Sequence, residues 1–142
     1  MAFGISRTIH LAAACLLVIG LAWQVFLAGL GVFGGASNFA THRDTGFLLQ
    51  VLPFVMLVTA ALGRLGRRQI IIAAVIFALF FVQSILLLFR DSSPAVAALH
   101  PVNGFVIVYL AIETARRAWE QRHEGGRAAA ATTPLTPESP VA

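Results

Sequence analysis

The chain has 142 residues, of which 58% are hydrophobic and only 11% are charged, and its mean hydropathy is +0.85. Because soluble domains are about half apolar and a quarter charged, this composition excludes an ordinary soluble domain and indicates an integral membrane protein with a single domain. The ten basic residues are all arginines that flank apolar segments, so the net charge of +4 does not indicate binding to nucleic acid.

Four apolar segments follow one another, and each approaches the ~20 residues that cross a bilayer as a helix. The first, residues 9–33, is too long for the apolar h-region of a cleaved signal peptide, so we expect a retained membrane helix. The others are residues 46–62, 70–89 and 102–115, the last with a start nearer residue 96. Backbone polar groups in lipid must be paired internally, and short connections make neighbouring helices antiparallel. The predicted fold is an all-α integral membrane protein, an antiparallel bundle of four transmembrane helices.

The single cysteine, Cys15, lies within the first apolar segment. One cysteine excludes an intramolecular disulfide and a metal site made of several cysteines.

Arginines are distributed unevenly between the two ends of this predicted bundle. Two, Arg43 and Arg90, lie at one end, and the other eight lie at the opposite end. Positive residues favour the cytoplasmic side, so we expect a multi-pass protein of the bacterial cell (inner) membrane with both termini in the cytoplasm. We expect two parts, a transmembrane bundle over residues 1–120 and a disordered cytoplasmic tail over residues 121–142, which is rich in Ala, Thr and Pro.

The first two helices resemble the last two in the spacing of their polar residues. Each half has a glutamine within an odd-numbered helix, then a histidine, then a glycine four residues after the histidine, in the stretches "ATHRDTGF" and "ALHPVNGF". A repeated hairpin of this kind brings equivalent residues together across a pseudo-two-fold axis along the membrane normal. The residues are Gln24, His42 and Gly46 in the first half, and Gln83, His100 and Gly104 in the second.

Each repeated residue also has a simpler interpretation. A histidine at a helix end is usually interfacial, and an intramembrane glutamine commonly makes a hydrogen bond to a neighbouring helix. The glycines leave room for a flat group beside the imidazole, or they serve helix packing. One face of the first helix continues from Gln24 with the small residues Ala28 and Gly31. This face has the same two interpretations, a groove for a planar ligand or close packing against a neighbouring helix.

Two facing histidines suit heme, which needs only axial ligands. We predict one heme b with His42 and His100 as axial ligands, its propionates pairing with Arg43 and Arg90. A bis-histidine iron has no open position, which favours electron transfer over binding of oxygen. A zinc or copper site would need further ligands, for which the nearby aspartates are the candidates.

The two hairpins resemble one four-helix half of the heme A synthase family, over the stretches "WQVFLAGLGVFGGASNFATHRDTGFLL" and "VQSILLLFRDSSPAVAALHPVNGFVIV". The resemblance implies His42 and His100 as heme ligands, and it implies a heme-dependent membrane oxidoreductase if the protein is an enzyme. This chain differs from the family in three ways. The family has two such halves, whereas this chain has one. The family has a glutamate three residues before the first histidine, where this chain has Phe39, and many members have a pair of loop cysteines that this chain lacks. The chain also resembles small bacterial four-helix membrane proteins with an LHPVNG-type motif.

The sequence therefore predicts a membrane heme protein that acts in electron transfer or heme handling. The alternative is a cofactor-free structural or accessory subunit of a membrane complex. Expected partners are the lipid bilayer, a redox partner or quinone, and a second copy of the chain, since a homodimer would rebuild the two-half arrangement. His10 and His123 have no repeated counterpart histidine, and we expect both to be interfacial or solvated.

Overall fold

A computed structural model describes the backbone of residues 2–131 and the side chains of residues 3–124. These residues are almost entirely helical and include no strand. The elements are α1 (Ala2–Phe33), a short 3-10 helix (Ala36–Asn38), α2 (Phe39–Leu49), α3 (Val51–Leu62), α4 (Arg67–Leu87), α5 (Pro94–Ala97) and α6 (Leu99–Ala131).

Four stretches of helix are long and apolar enough to cross a membrane, which confirms the predicted all-α fold with four spans. They are Phe3–Phe33, Ala36–Leu62, Arg67–Leu87 and Pro94–Glu124. The second and fourth begin earlier than hydropathy predicts, because the polar residues around His42 and His100 are themselves helical. The chain thus has the architecture of a multi-pass membrane protein, whereas the duplication of the hairpin and the side that faces the cytoplasm stay predictions.

Two prolines explain why the second and fourth spans are broken. Proline lacks an N–H, and its ring collides with the carbonyl four residues earlier. For Pro53 that residue is Leu49, the last of α2, and the chain turns at Gln50, whose N–H donates to the Phe47 carbonyl at 3.3 Å. Pro101 stands in the same relation to Ala97, the last residue of α5.

The core lies between the four spans and receives one fully buried large aliphatic or methionine side chain from each of the four longest helices. These are Leu17, Met56, Ile76 and Ile107. Buried alanines beside them let the helices approach closely, as small residues do in membrane bundles. Large apolar side chains on the opposite faces are exposed, where lipid would cover them.

The two ends of the bundle differ in composition, and we name them accordingly. At the histidine end, the last turns of α1 and α4 meet the first turns of α2 and α6. At the arginine end, the start of α1 meets the end of α3, where the Arg7 Nε donates to the Gly63 carbonyl at 3.2 Å. The guanidinium of Arg64 lies 4.8 Å from the centre of the Phe3 ring at the same end.

The tail expected over residues 121–142 begins as helix in the structure. Helix α6 continues without a break to Ala131. Alanine, glutamate and arginine, which have high helix propensity, outnumber the two glycines in this stretch. Residues 132–142 lie outside the described residues.

Candidate functional site

The imidazoles of His42 and His100 lie side by side at the histidine end. Their ring centres are 6.2 Å apart, and the ring planes are inclined at 63°. Both side chains are half-buried. His42 comes from the first turn of α2 and His100 from the first turn of α6, so the equivalent positions noted in the sequence do meet.

Each histidine is oriented by the helix that precedes it. The Nδ1 of His42 lies 3.0 Å from the main-chain carbonyl oxygen of Gln24, and the Nδ1 of His100 lies 3.1 Å from that of Gln83. A carbonyl oxygen only accepts hydrogen bonds, so each Nδ1 carries the proton and donates it. The lone pair of each ring is then on Nε2, which makes no hydrogen bond to any described residue. This is the tautomer and the orientation that histidines bound to a metal ordinarily have.

The Gln83 side chain returns a hydrogen bond to the same histidine. Its amide nitrogen donates to the main-chain carbonyl of His100 at 2.9 Å, while its amide oxygen accepts from Asn103 at 2.5 Å. The same Asn103 amide donates to the carbonyl of Leu79 at 3.0 Å. The start of α6 is therefore joined to α4 at several points around the imidazole.

The Gln24 side chain has a matching position against α2. Its amide contacts the Thr45 hydroxyl at 2.6 Å. Turned so that its nitrogen faces His42, the amide donates to the His42 carbonyl at 2.9 Å and accepts from the Gly46 N–H at 3.0 Å. The same nitrogen then lies 2.8 Å from the His42 Nδ1, to which it could donate only in the other tautomer of that ring. In that orientation the amides of Gln24 and Gln83 each donate to the main-chain carbonyl of the histidine in their own half.

Thr45 and Asn103 are two contributors that the sequence analysis missed. Each lies three residues after its histidine and directly before its glycine, so each shares the helical face of the histidine. The pattern His-x-x-(Thr/Asn)-Gly could have identified them. Both contact the glutamine of their own half.

The glycines of the two motifs face the glutamines. A Cβ built on Gly46 would lie 3.7 Å from the Gln24 amide oxygen, and one on Gly104 would lie 3.5 Å from the Gln83 amide nitrogen. These are ordinary contact distances. The space beside each imidazole that the sequence assigned to a flat group is thus shared with an amide side chain.

The small-residue stripe on α1 is partly covered by an aromatic ring. Gly31 is buried, Ala28 is half-buried, and a Cβ on Gly31 would lie 2.6 Å from the Phe39 ring. That ring is also perpendicular to the His42 imidazole, with centres 6.5 Å apart. Close packing therefore accounts for Gly31, and Phe39 forms one wall beside the histidine.

The two arginines of the predicted site lie on the exposed surface. Arg43 Nε is 2.8 Å from the Asp44 carboxylate, and Arg90 Nε is 3.3 Å from that of Asp91. Their pairing with heme propionates stays a prediction. Among the residues whose side chains are described, no three His, Cys, Asp or Glu side chains form a group that could hold a metal ion.

The expectation for His10 is wrong, because this histidine is completely buried. It lies on the inward stripe of α1 with Ala14, Leu17 and Leu21, which recurs every three or four residues. Since α1 begins at Ala2, His10 is two turns inside the helix and not at its end. His123 is exposed as expected, with its ring 4.4 Å from that of Trp119.

Comparison with known proteins gives one partial match. No curated protein and no solved structure matches the chain. The match to a family covers Gln24, His42 and Gln83 but ends before His100. Over residues 24–90 the chain is similar to a family of unknown function, DUF6220.

Proposed function

We propose that the protein binds one heme b at the histidine end, with His42 and His100 as its two axial ligands, and that it acts in electron transfer or heme handling in a bacterial cell membrane. The observation that carries this proposal is the pairing of the two imidazoles. Each offers a lone pair on Nε2, and each is fixed through Nδ1 by a main-chain carbonyl.

The distance between the rings fits a single ion between them. Metal-to-imidazole bonds are about 2 Å long, so two imidazoles on opposite sides of one ion have ring centres about 6 Å apart. The ring centres of His42 and His100 are 6.2 Å apart. Two ligands suffice for heme, whose porphyrin supplies the other four nitrogens, so the absence of a third protein ligand among the described residues does not conflict with it.

The surroundings also suit a large apolar cofactor. Helices α2 and α5 have no buried residues, so the histidine end has little packing of its own. Exposed apolar side chains such as Phe39, Val102 and Phe105 lie on the first turns that carry the histidines. A porphyrin would be covered by side chains of this kind.

Arg43 and Arg90 are the candidates for pairing with the propionates. Each is held only by an exposed ion pair with the next residue in the chain. Exposed pairs of this kind contribute about 0–1 kcal/mol. Either arginine can therefore exchange its aspartate for a propionate at little cost.

The function follows from the number of ligands. A heme with two histidine ligands supplies reversible one-electron transfer, because no position is left for oxygen or substrate. The chain's own contribution is to hold both imidazoles in the ligating tautomer and to bring them to one depth through the Gln24 and Gln83 carbonyls. A redox partner or a quinone would receive the electron.

The test is a reduced-minus-oxidised visible spectrum of the full chain, expressed with ample heme and purified in mild detergent. We expect the sharp bands of a six-coordinate, low-spin heme at one heme per chain. A colourless protein that is folded by circular dichroism would reject the proposal.

A second candidate is a cofactor-free structural subunit of a membrane complex. It is favoured by the Gln83 bonds to His100 and Asn103, which also hold the helices together when no ligand is bound. Under this reading the histidines serve only as interhelical donors. The same spectrum distinguishes the two candidates, because a structural subunit binds no heme.

A further inference from the structure

A second group of polar side chains is buried inside the bundle, toward the arginine end. His10 on α1, Gln69 on α4 and Thr114 on α6 have exposed fractions of 0, 2 and 0%. We call these three residues the buried polar layer. They lie within candidate membrane spans, where polar side chains are costly and usually functional.

Helix register places His10 beside α3. The His42 imidazole is hydrogen-bonded to Gln24. Fourteen residues toward the arginine end, Gln24 on α1 is followed by His10, and His42 is followed by Met56 on α3. Fourteen residues are about four helical turns, so the same faces meet again. The structure has the corresponding bond, with the His10 Nδ1 3.0 Å from the Met56 carbonyl oxygen.

The same register places Gln69 and Thr114 at one depth in the bundle. His100 is bonded to Gln83, and fourteen residues further along both helices are Thr114 and Gln69. Both are buried, as residues on the same inward faces should be. His10 and Gln69 thus stand at one depth on α1 and α4, and they are separated by the same 59 residues as Gln24 and Gln83.

Three polar atoms of this layer have no hydrogen-bonding partner among the described residues. They are the Nε2 of His10 and both amide atoms of Gln69. The His10 Nδ1 donates to a carbonyl, so its Nε2 is an acceptor that needs a donor. The Gln69 amide needs both a donor and an acceptor. Buried atoms of this kind in native proteins are commonly satisfied by ordered water.

We propose that the buried polar layer binds water, which bridges the His10 Nε2 and the Gln69 amide. Water donates two hydrogen bonds and accepts two, so it can donate to the His10 Nε2 and to the Gln69 Oε1 and accept from the Gln69 Nε2. A metal ion does not fit this donor set, which offers one imidazole nitrogen and no carboxylate or thiolate. The proposal is independent of heme binding at the other end.

Water reaches this layer from the arginine end. Gln121 lies seven residues beyond Thr114 on α6, about two helical turns and therefore on nearly the same face. Its Oε1 is buried and also lacks a partner among the described residues. Toward the histidine end, the next residues on these faces are apolar and buried, namely Leu17, Ile76 and Ile107. The polar route therefore ends at His10, a base placed inside the membrane span.

The first experiment is water-edited magic-angle-spinning NMR on the full chain in lipid bilayers, with isotope-labelled histidine and leucine. Magnetisation passes from water to nearby side chains, so the build-up rate at each ring reports contact with water. Exposed His123 is the wet reference and fully buried Leu17 is the dry one. We expect the His10 ring to build up at a rate close to that of His123 and several-fold faster than Leu17. A His10 rate equal to that of Leu17 would overturn the proposal.

The Gln69→Leu variant tests the bridge. It should slow the build-up at His10 several-fold, whereas Gln50→Leu, on a groove away from this layer, should leave it unchanged. Where Gln69→Leu does not fold, Gln121→Leu tests the route, and the His10 rate should fall in the same way. A fast His10 build-up rate that persists in either folded variant contradicts the proposal. If neither variant folds, the wild-type comparison of His10 with His123 and Leu17 still tests it.

Discussion

The two ends of the bundle use the same histidine geometry in different surroundings. Three of the chain's four histidines, His10, His42 and His100, each have their Nδ1 within hydrogen-bonding distance of a main-chain carbonyl of a neighbouring helix. At the histidine end, two such rings face each other and are half-buried. At the arginine end, one ring is completely buried, and Gln69 occupies the equivalent place on the other half.

The donor and acceptor atoms of each layer decide which ligand it can hold. Two imidazoles with free lone pairs could provide the two protein ligands of the proposed heme, whereas one imidazole and an amide could provide an acceptor and a donor for the proposed water. The packing differs as well, because α2 and α5 at the histidine end have no buried residues, whereas His10 and Gln69 are almost completely buried. One heme, at the histidine end, is thus the expected number.

Removing a ligand from the histidine end should have the largest effect. We expect His42→Ala and His100→Ala each to remove most of the heme. Loss of a group that only supports a ligand lowers metal affinity ~10–100-fold, and loss of the ligand itself should lower it further. The measurement is heme absorbance per protein after purification. His123→Ala is the control, since this exposed ring has no part in the site. Full occupancy in both ligand variants would reject the assignment.

Packing beside the site can be tested with two glycines on one helix. A Cβ at Gly31 would collide with the Phe39 ring, whereas a Cβ at Gly29 would meet nothing within 4 Å. We expect Gly31→Ala to destabilise the bundle by about 1–3 kcal/mol through overpacking, and Gly29→Ala to stabilise its helix by roughly 0.5–1 kcal/mol. Unfolding in denaturing detergent measures both. Equal stabilities would show that Phe39 moves aside freely.

A substitution at Gln83 tests its side chain separately from its main-chain carbonyl. Gln83→Ala removes the bonds to the His100 carbonyl and to Asn103 but keeps the carbonyl that orients the imidazole. We therefore expect a loss of about 1 kcal/mol, typical of a hydrogen bond between membrane helices, with heme content unchanged. Ser84→Ala is the matched control, because the Ser84 hydroxyl makes only a 3.5 Å contact within its own helix. A heme spectrum shifted at unchanged stability would instead place the amide beside the iron.

Much of the fold could be predicted from hydropathy alone, but the helix ends could not. The stretch "ATHRDT" is polar, so a hydropathy pattern places it outside the second span, yet it forms the first turns of α2. Helical hydrogen bonds are local and tolerate polar side chains at the bundle ends. The prolines at positions 53 and 101 are the sequence signal for the breaks within these spans.

The site was predictable to the extent that it repeats. The spacing of His42 and His100 indicated a meeting that the structure contains. The burial of His10 was not predicted, because its counterpart in the second half is Gln69 and the two positions are not a repeated pair of histidines. The main-chain carbonyls that orient all three rings have no sequence signal, because a residue of any type at the same position in the helix would supply the same oxygen.

The smallest expected effect concerns the exposed ion pairs of the histidine end. Asp44→Asn removes the partner of Arg43, and because both side chains are exposed we expect stability to change by less than about 1 kcal/mol. Heme should be retained as well as in the wild type, since Arg43 is then free to pair with a propionate. Arg43→Ala, which removes the cation itself, should loosen heme several-fold in a transfer assay to apomyoglobin. If both variants release heme at the wild-type rate, Arg43 does not pair with a propionate, and the two histidines and Arg90 remain as the proposed contacts to the cofactor.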